Sequence, residues 1–131
     1  MSTPENPNSK KDITREEFNQ LKQLPLFKGT IVSGSMMPLM PIGTPIVVAV
    51  GDQTIKRFDI IVFYNENKLI CHFLWNINKI VTPKLLQTRN LVNFGVDFPI
   101  TMDDYLGKVV SHQLRLRDKL RLIKHYLLKG R

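Results

Sequence analysis

The chain has 131 residues, of which 43% are hydrophobic and 23% charged, a composition typical of one globular domain that excludes global disorder. No stretch approaches 18 consecutive apolar residues, and the opening "MSTPENPNSKKD" lacks the apolar centre of a secretion signal, which excludes an integral membrane protein and predicts a cytoplasmic one. The net charge is +8, and seven of the 19 Lys and Arg residues lie in residues 112–131 beside one acid. The single cysteine, Cys71, excludes an internal disulfide.

Residues 1–11 are rich in Pro, Asn, Ser and Lys, which predicts a disordered arm before a single domain over 12–131. The domain is expected to comprise a helical segment over 12–25, a β core over 29–116 and a basic amphipathic helix over 117–131.

The helical segment begins with a recognisable start signal. Thr14 and Glu17 have the spacing of a capping box, in which each side chain bonds the other residue's backbone N–H. The pattern predicts a helix from Arg15 to Leu24, stopped by Pro25.

The middle of the chain has short runs of Val, Ile, Phe and Tyr punctuated by Gly, Pro and Asn, which are typical of strands. The predicted strands are Gly29 to Val32, Pro45 to Val50, Ile60 to Tyr64, Leu69 to Ile77, Lys84 to Thr88 and Leu106 to Leu116. "DIIVFYNENKLICHFLWNI" predicts a hairpin that turns at Asn65 to Asn67. The fold class is therefore mainly β, a coiled antiparallel sheet or partly open barrel flanked by two helices.

The tail changes to helical periodicity. An apolar row, defined as Leu116, Leu120, Ile123 and Leu127, recurs at spacings of three and four residues among basic residues. Two interpretations stay open: the row caps the β core, or residues 117–131 lie on an anionic membrane as a peripheral contact at its inner face.

A candidate nucleophile lies in "VSGSMMPLMPIGTPIVVAV", residues 32–50. Ser35 stands where a strand meets a turn, and Ser33 would point to the same side if the segment is extended. A serine needs a base and hydrogen-bond donors for the oxyanion before it can attack a carbonyl. The alternative is that both serines are ordinary turn residues.

The candidate base is His72 in "KLICHFLWN", which shares a strand face with Ile70 and Leu74. A histidine in an apolar row can also be a structural residue bonded to the backbone. The other two histidines, His112 and His125, fall in the basic tail as surface residues.

Three blocks in order resemble the type I signal peptidases. "SGSMMPLMPIGTPIVV" resembles their Ser-x-Ser-Met-x-Pro nucleophile segment, and "RFDIIVFYNENKLICHFLWNI" is similar to the paired strands that carry their base. "LLQTRNLVNFGVDFPITMDDYLGKVV" is similar to the block that holds an assisting acid and ends in Gly-Lys-Val. The resemblance covers about residues 30 to 110.

The resemblance implies a role for each matching residue. Ser35 matches the nucleophile, Ser33 and the Ser35 backbone the oxyanion hole, and His72 the base, as in the Ser-His type of the family. Asp97 matches the acid that assists the histidine. Met36 would line the pocket for the residue before the cut, where the family prefers small side chains.

The sequence thus predicts a serine endopeptidase that cleaves a leader or precursor peptide with no cofactor and no metal. The rival hypothesis is an inactive β binding module whose basic tail holds nucleic acid, an anionic membrane or an acidic protein. Nucleic acid is the partner least expected, because Trp75 is alone and the β region lacks an aromatic-and-basic ladder.

Overall fold

The computed structural model describes residues 12–129, so the predicted arm over 1–11 and the last two residues of the predicted tail helix lie outside the described residues. The elements are α1 Arg15–Leu21, β1 Leu26–Thr30, β2 Pro45–Val50, β3 Ile60–Asn65, β4 Lys68–Asn78, β5 Leu85–Arg89, a short 3₁₀ turn Met102–Asp104, β6 Tyr105–Val109 and α2 Leu116–Lys129. The prediction of a mainly β fold with a short N-terminal helix and a C-terminal helix is confirmed. No helix within residues 12–129 is long and apolar enough to cross a membrane.

The six strands form one antiparallel sheet in the order β1-β2-β6-β3-β4-β5. β1 and β5 lie at opposite edges and do not pair, so the sheet stays open. Residues 96–100 run beside β5 through two isolated bridges, from Leu86 to Ile100 and from Arg89 to Val96. This stretch carries Asp97 along the outer edge of the sheet.

The β3–β4 hairpin forms where the sequence predicts it. The two loop residues Glu66 and Asn67 have φ of 50° and 65°, and two-residue hairpin loops require such left-handed residues. The pairing continues from Asn65 with Lys68 to Ile60 with Phe73. The hairpin therefore fixes the register of the strand that carries His72.

Apolar side chains pack on both faces of the sheet. The first cluster includes Phe18 of α1, Leu122 of α2 and Met36 beside the serines, together with Phe73 and Leu91. The second contains Ile61, Phe63, Leu74, Leu86, Ile100 and Tyr105. Alternation along the central strands produces the division, because successive side chains point to opposite faces.

Helix α1 is shorter than predicted. Its capping box forms as expected, with Glu17 N–H bonded to Thr14 Oγ1 and Thr14 N–H bonded to Glu17 Oε1. The helix ends at Leu21 rather than Leu24. The residue before a proline avoids the α region, so Leu24 cannot continue a helix into Pro25.

The strand predicted from Leu106 to Leu116 is the largest error in the boundaries. β6 ends at Val109, and α2 begins at Leu116. The backbone N–H of Arg115, just before the helix, donates to Asp118 Oδ2 at 2.9 Å. This bond caps the first turn of α2, a local signal that the apolar alternation had masked.

The interpretation that the apolar row caps the β core is wrong. All four of its side chains are more than half exposed. The helix packs instead through Leu122 and Asp118, both of which are almost fully buried. On the helix these two residues lie on the side opposite the apolar row, because successive residues are 100° apart.

Asp118 has an acid-sensitive role in attaching α2. Burial alone would raise its pKa, but hydrogen bonds and charge from Arg115 and charge from Arg121 outweigh burial and hold the pKa below its usual value. A lowered native-state pKa stabilises the fold above the unfolded-state value, and this contribution is lost as pH falls through the native-state value. We therefore expect the Asp118→Asn variant to melt several degrees lower than wild type at pH 7.

The difference in melting temperature between wild type and Asp118→Asn should shrink as pH is lowered from 5 to 3. Thermal melts followed by circular dichroism measure it. The matched control is Asp103→Asn, because Asp103 is exposed and its carboxylate makes no hydrogen bond with the described residues. A difference in melting temperature between wild type and Asp118→Asn that does not change with pH would contradict the role given to Asp118.

Gly107 in β6 should not tolerate a side chain. A Cβ there would lie 2.3 Å from the backbone oxygen of Ala49 on the neighbouring strand, which cannot move without breaking the pairing. We expect Gly107→Ala to lower the free energy of unfolding by at least about 2 kcal/mol, as for an overpacked core. Urea unfolding measures this. Gly34→Ala is the control, because its nearest contact is the flexible Met37 side chain at 3.3 Å, and an equal loss there would contradict the explanation.

Candidate active site

Ser35 lies in a tight turn that follows β1. Met37 N–H donates to Gly34 O at 3.1 Å, and Met40 N–H donates to Met36 O at 2.9 Å. The hydroxyls of Ser33 and Ser35 are 3.2 Å apart, and both residues are partly exposed. The predicted proximity of the two serine hydroxyls is therefore present.

The backbone around Ser35 is anchored on one side and free on the other. Leu91 N–H donates to the Ser35 carbonyl at 2.8 Å, and both Leu91 and Met36 are buried. The Ser35 N–H makes no hydrogen bond with any residue in the described range 12–129. It is therefore available as a donor to a ligand, beside the Ser33 hydroxyl.

Both serines line an open groove of about 630 Å³. Its walls come from α1 and the residues that follow it, the edge strand β1, and strands β2, β3 and β4. They include Leu21, Leu24, Phe27, Ile46, Val62, Leu69 and Cys71. Met36 also lines the groove, although nearly all of its side chain is buried. The groove is mostly apolar, and among its lining residues within 12–129 only Glu17 is charged.

His72 lies in the middle of β4, opposite Ile61 of β3, and is 8% exposed. Its Nδ1 is 2.5 Å from Asp97 Oδ2, and the edge of its ring faces Phe63 with the ring centroids 6.1 Å apart. The Nε2 atom makes no hydrogen bond with another described residue. If Asp97 accepts from Nδ1–H, Nε2 carries the lone pair and can act as a base.

Asp97 is itself held by Thr88 of β5. Thr88 Oγ1 donates to Asp97 Oδ2 at 2.6 Å, and Asp97 N–H donates to Thr88 O at 2.9 Å. The carboxylate is thus fixed between a hydroxyl and an imidazole. Sequence reasoning missed Thr88, and the available signal was a polar residue two positions after Leu86 on a buried strand face.

The structure places the four predicted polar residues as two separate pairs, of which only the two serines line the groove. Ser33 contacts Ser35, and His72 contacts Asp97, but no hydrogen bond among the described residues joins Ser35 to His72. The backbone connects the two pairs through Leu91, whose N–H donates to the Ser35 carbonyl. Leu91 lies two residues after Arg89, the last residue of β5. Arg89 in turn pairs with Phe73, the residue after His72.

The two other side chains that could supply a nucleophile fit the chemistry less well. Burial raises the pKa of the Cys71 thiol to about 12, so little of the reactive thiolate forms near neutral pH. Ser111 Oγ lies 2.9 Å from His112 Nδ1, but this exposed contact between neighbours involves no carboxylate. Only His72, among the histidines, is paired with an acid in the described range.

No group of three or more His, Cys, Asp and Glu side chains within residues 12–129 is arranged to hold a metal ion. Comparisons of the chain with protein families, with curated proteins and with solved structures find no match.

Proposed function

We propose that this protein is a serine endopeptidase of the signal-peptidase type that cuts a leader or precursor peptide. Ser35 is the nucleophile, His72 the general base and Asp97 the residue that positions the base. The observation that carries the proposal is the short contact between His72 Nδ1 and Asp97, a buried imidazole oriented by a carboxylate. A purely structural histidine needs no carboxylate, since a backbone carbonyl would satisfy it.

The chemistry begins when a substrate carbonyl enters the groove beside Ser35. His72 Nε2 takes the hydroxyl proton as Ser35 Oγ attacks, and Asp97 stabilises the imidazolium that forms. The oxyanion accepts hydrogen bonds from Ser35 N–H and from the Ser33 hydroxyl. His72 then gives the proton to the leaving amine, and water hydrolyses the acyl-enzyme by the same steps.

The mechanism requires Ser35 Oγ and His72 Nε2 to come within hydrogen-bond reach, a contact that the described residues do not make. Hydrogen bonds between a nucleophile and its base are often long before substrate binds, and tighten in the complex. Ser35 is tethered by its carbonyl to Leu91, beside the end of β5. His72 does not line the groove, and its cross-strand neighbour Ile61 packs in the second cluster, whereas Cys71 lines the groove with the serines. Ser35 and His72 thus belong to opposite faces of the sheet, and substrate binding has to bring them together.

The groove suits an extended peptide. β1 is an edge strand with one side unpaired, and residues Gly29 to Ser33 line the groove that leads to Ser35. A peptide can add there as an extra strand through main-chain hydrogen bonds. Met36 then borders the residue before the cut, and the mostly apolar walls contact the residues further along.

A fluorophosphonate probe tests the proposal, because only an activated serine hydroxyl attacks the phosphorus and displaces fluoride. We expect covalent labelling of the native protein at Ser35, found by mass spectrometry of the labelled peptide. Labelling should be lost in Ser35→Ala and after heat denaturation.

Ser111→Ala is the matched control for the labelling experiment. Ser111 also contacts a histidine, yet it lacks an acid partner, so its replacement should leave labelling unchanged. Absence of label on the native protein would instead favour the rival hypothesis, an inactive β binding module. Label on Ser111 would show that the nucleophile has been assigned wrongly.

A further inference from the structure

The apolar row of α2 faces solvent along the whole helix. Leu116, Leu120, Ile123 and Leu127 are 73%, 56%, 51% and 74% exposed. Leu128, the next residue in the chain after Leu127, is also exposed. Scattered single apolar residues on a surface need no explanation, but four aligned on one helix face mark an interaction surface.

Several contacts hold α2 so that the row points outward. Leu122 and Asp118 are buried beneath the helix, and the Tyr126 ring packs at 5.8 Å from the Trp75 ring. The His125 ring lies 5.1 Å from Phe94. These contacts occupy the side of α2 away from the row, so the row cannot turn inward without breaking them.

The charges around the row identify the occupant. The exposed side chains beside it include Arg117 and Lys124, with the partly exposed Lys119 on the other flank. The one acid of the helix, Asp118, is buried and bonded to Arg115. The accessible surface of α2 over residues 116–128 therefore carries positive charge without an exposed carboxylate.

A second copy of the chain fits this surface poorly, because it would bring like charges together around the two rows. A nucleic acid would use the charges but leave the four aliphatic side chains in water. An anionic bilayer satisfies both features, since an amphipathic helix buries its apolar face at the acyl boundary and keeps its basic residues among the headgroups.

We propose that α2 docks this protein on an anionic membrane surface, with the apolar row in the bilayer interface and the exposed Arg117 and Lys124 among the headgroups. The contact is peripheral and reversible. It is independent of the activity proposed for Ser35, because none of the four row residues lines the groove.

Sedimentation with lipid vesicles tests this inference on the full chain. We expect binding to vesicles of phosphatidylcholine with about one third phosphatidylserine, and binding weaker by on the order of tenfold to phosphatidylcholine alone. Raising the salt concentration to about 0.5 M should weaken binding to the anionic vesicles, because it screens charge. Equal binding to both lipid compositions would overturn the proposal.

A matched pair of variants separates the row from general surface hydrophobicity. The variant Leu120→Gln with Ile123→Gln removes two row residues that are 56% and 51% exposed, and the control Leu26→Gln with Val92→Gln removes two elsewhere that are 50% and 52% exposed. We expect the first to lower vesicle partitioning by on the order of tenfold or more and the control to leave it nearly unchanged.

The same variants distinguish the other possible occupants. Melting curves establish that each variant is folded before it is compared. Analytical ultracentrifugation without lipid should give the same mass for wild type and for the row variant. A wild-type dimer that the row variant abolishes would assign the row to self-association and overturn the membrane proposal, as would equal loss of vesicle binding in the control variant.

Discussion

Replacing Ser35 or His72 with Ala is expected to lower kcat by on the order of 10⁴, because the hydroxyl and the base act on one proton. The double variant should be little worse than either single one, since removing one member already disables the other. The measurement is cleavage of a peptide substrate in single-turnover experiments. A fluorogenic peptide library would first identify that substrate.

The fold should survive these two replacements. Ser35 is partly exposed in a turn, and His72→Ala removes a ring that contacts Phe63 at its edge without supporting α1 or α2. Thermal melts serve as the control. If His72→Ala cleaves a substrate nearly as fast as wild type while Ser35→Ala cannot cut it, the base has been assigned wrongly and another group must take the proton.

Asp97→Asn is expected to produce the second-largest effect, a loss in kcat on the order of 10² to 10⁴ with KM nearly unchanged. The amide can donate to Nδ1, which favours the tautomer whose Nε2 carries a proton and cannot act as a base. The geometry of the pair would survive, since Asn has the same shape as Asp. Steady-state kinetics separate kcat from KM.

Thr88→Val is the companion to Asp97→Asn. It removes the hydroxyl that bonds Asp97 Oδ2 at 2.6 Å but leaves the carboxylate and its charge in place. We expect a smaller loss than for Asp97→Asn, because the imidazole keeps its acid partner. A rise in KM with kcat unchanged for both variants would place the pair in substrate binding and contradict its positioning role.

Local chemistry made several parts of the structure predictable. The capping box of α1 and the β3–β4 hairpin each depend on residues a few positions apart, and both formed as expected. β2 matches its predicted bounds, Pro45–Val50, because its run of apolar residues is bounded by turns. One boundary failed although its signal was local: β6 stops at Val109, and the bond from Arg115 to the buried Asp118, three residues on, starts α2.

In the candidate site, too, contacts between near neighbours in the chain were easier to predict than contacts between distant residues. The Ser33 and Ser35 hydroxyls meet as the sequence predicted, but through a bend and turn rather than the extended backbone that the prediction assumed. The pairing of His72 with Asp97 spans 25 residues and depends on the stretch beside β5, and the sequence suggested it only through family resemblance. Thr88 and the wall that α1 adds to the groove had no such guide and were missed.

The tail shows the same division between sequence and tertiary structure. The sequence by itself determined that α2 is a basic helix with an apolar row, because a period of 3.6 residues is a local property. It did not determine which side meets the core. Tertiary structure decided this through Leu122, which fills the core, and Asp118, whose charge can be buried only beside Arg115. With these two residues inward, helical geometry turns Leu116, Leu120, Ile123 and Leu127 toward solvent.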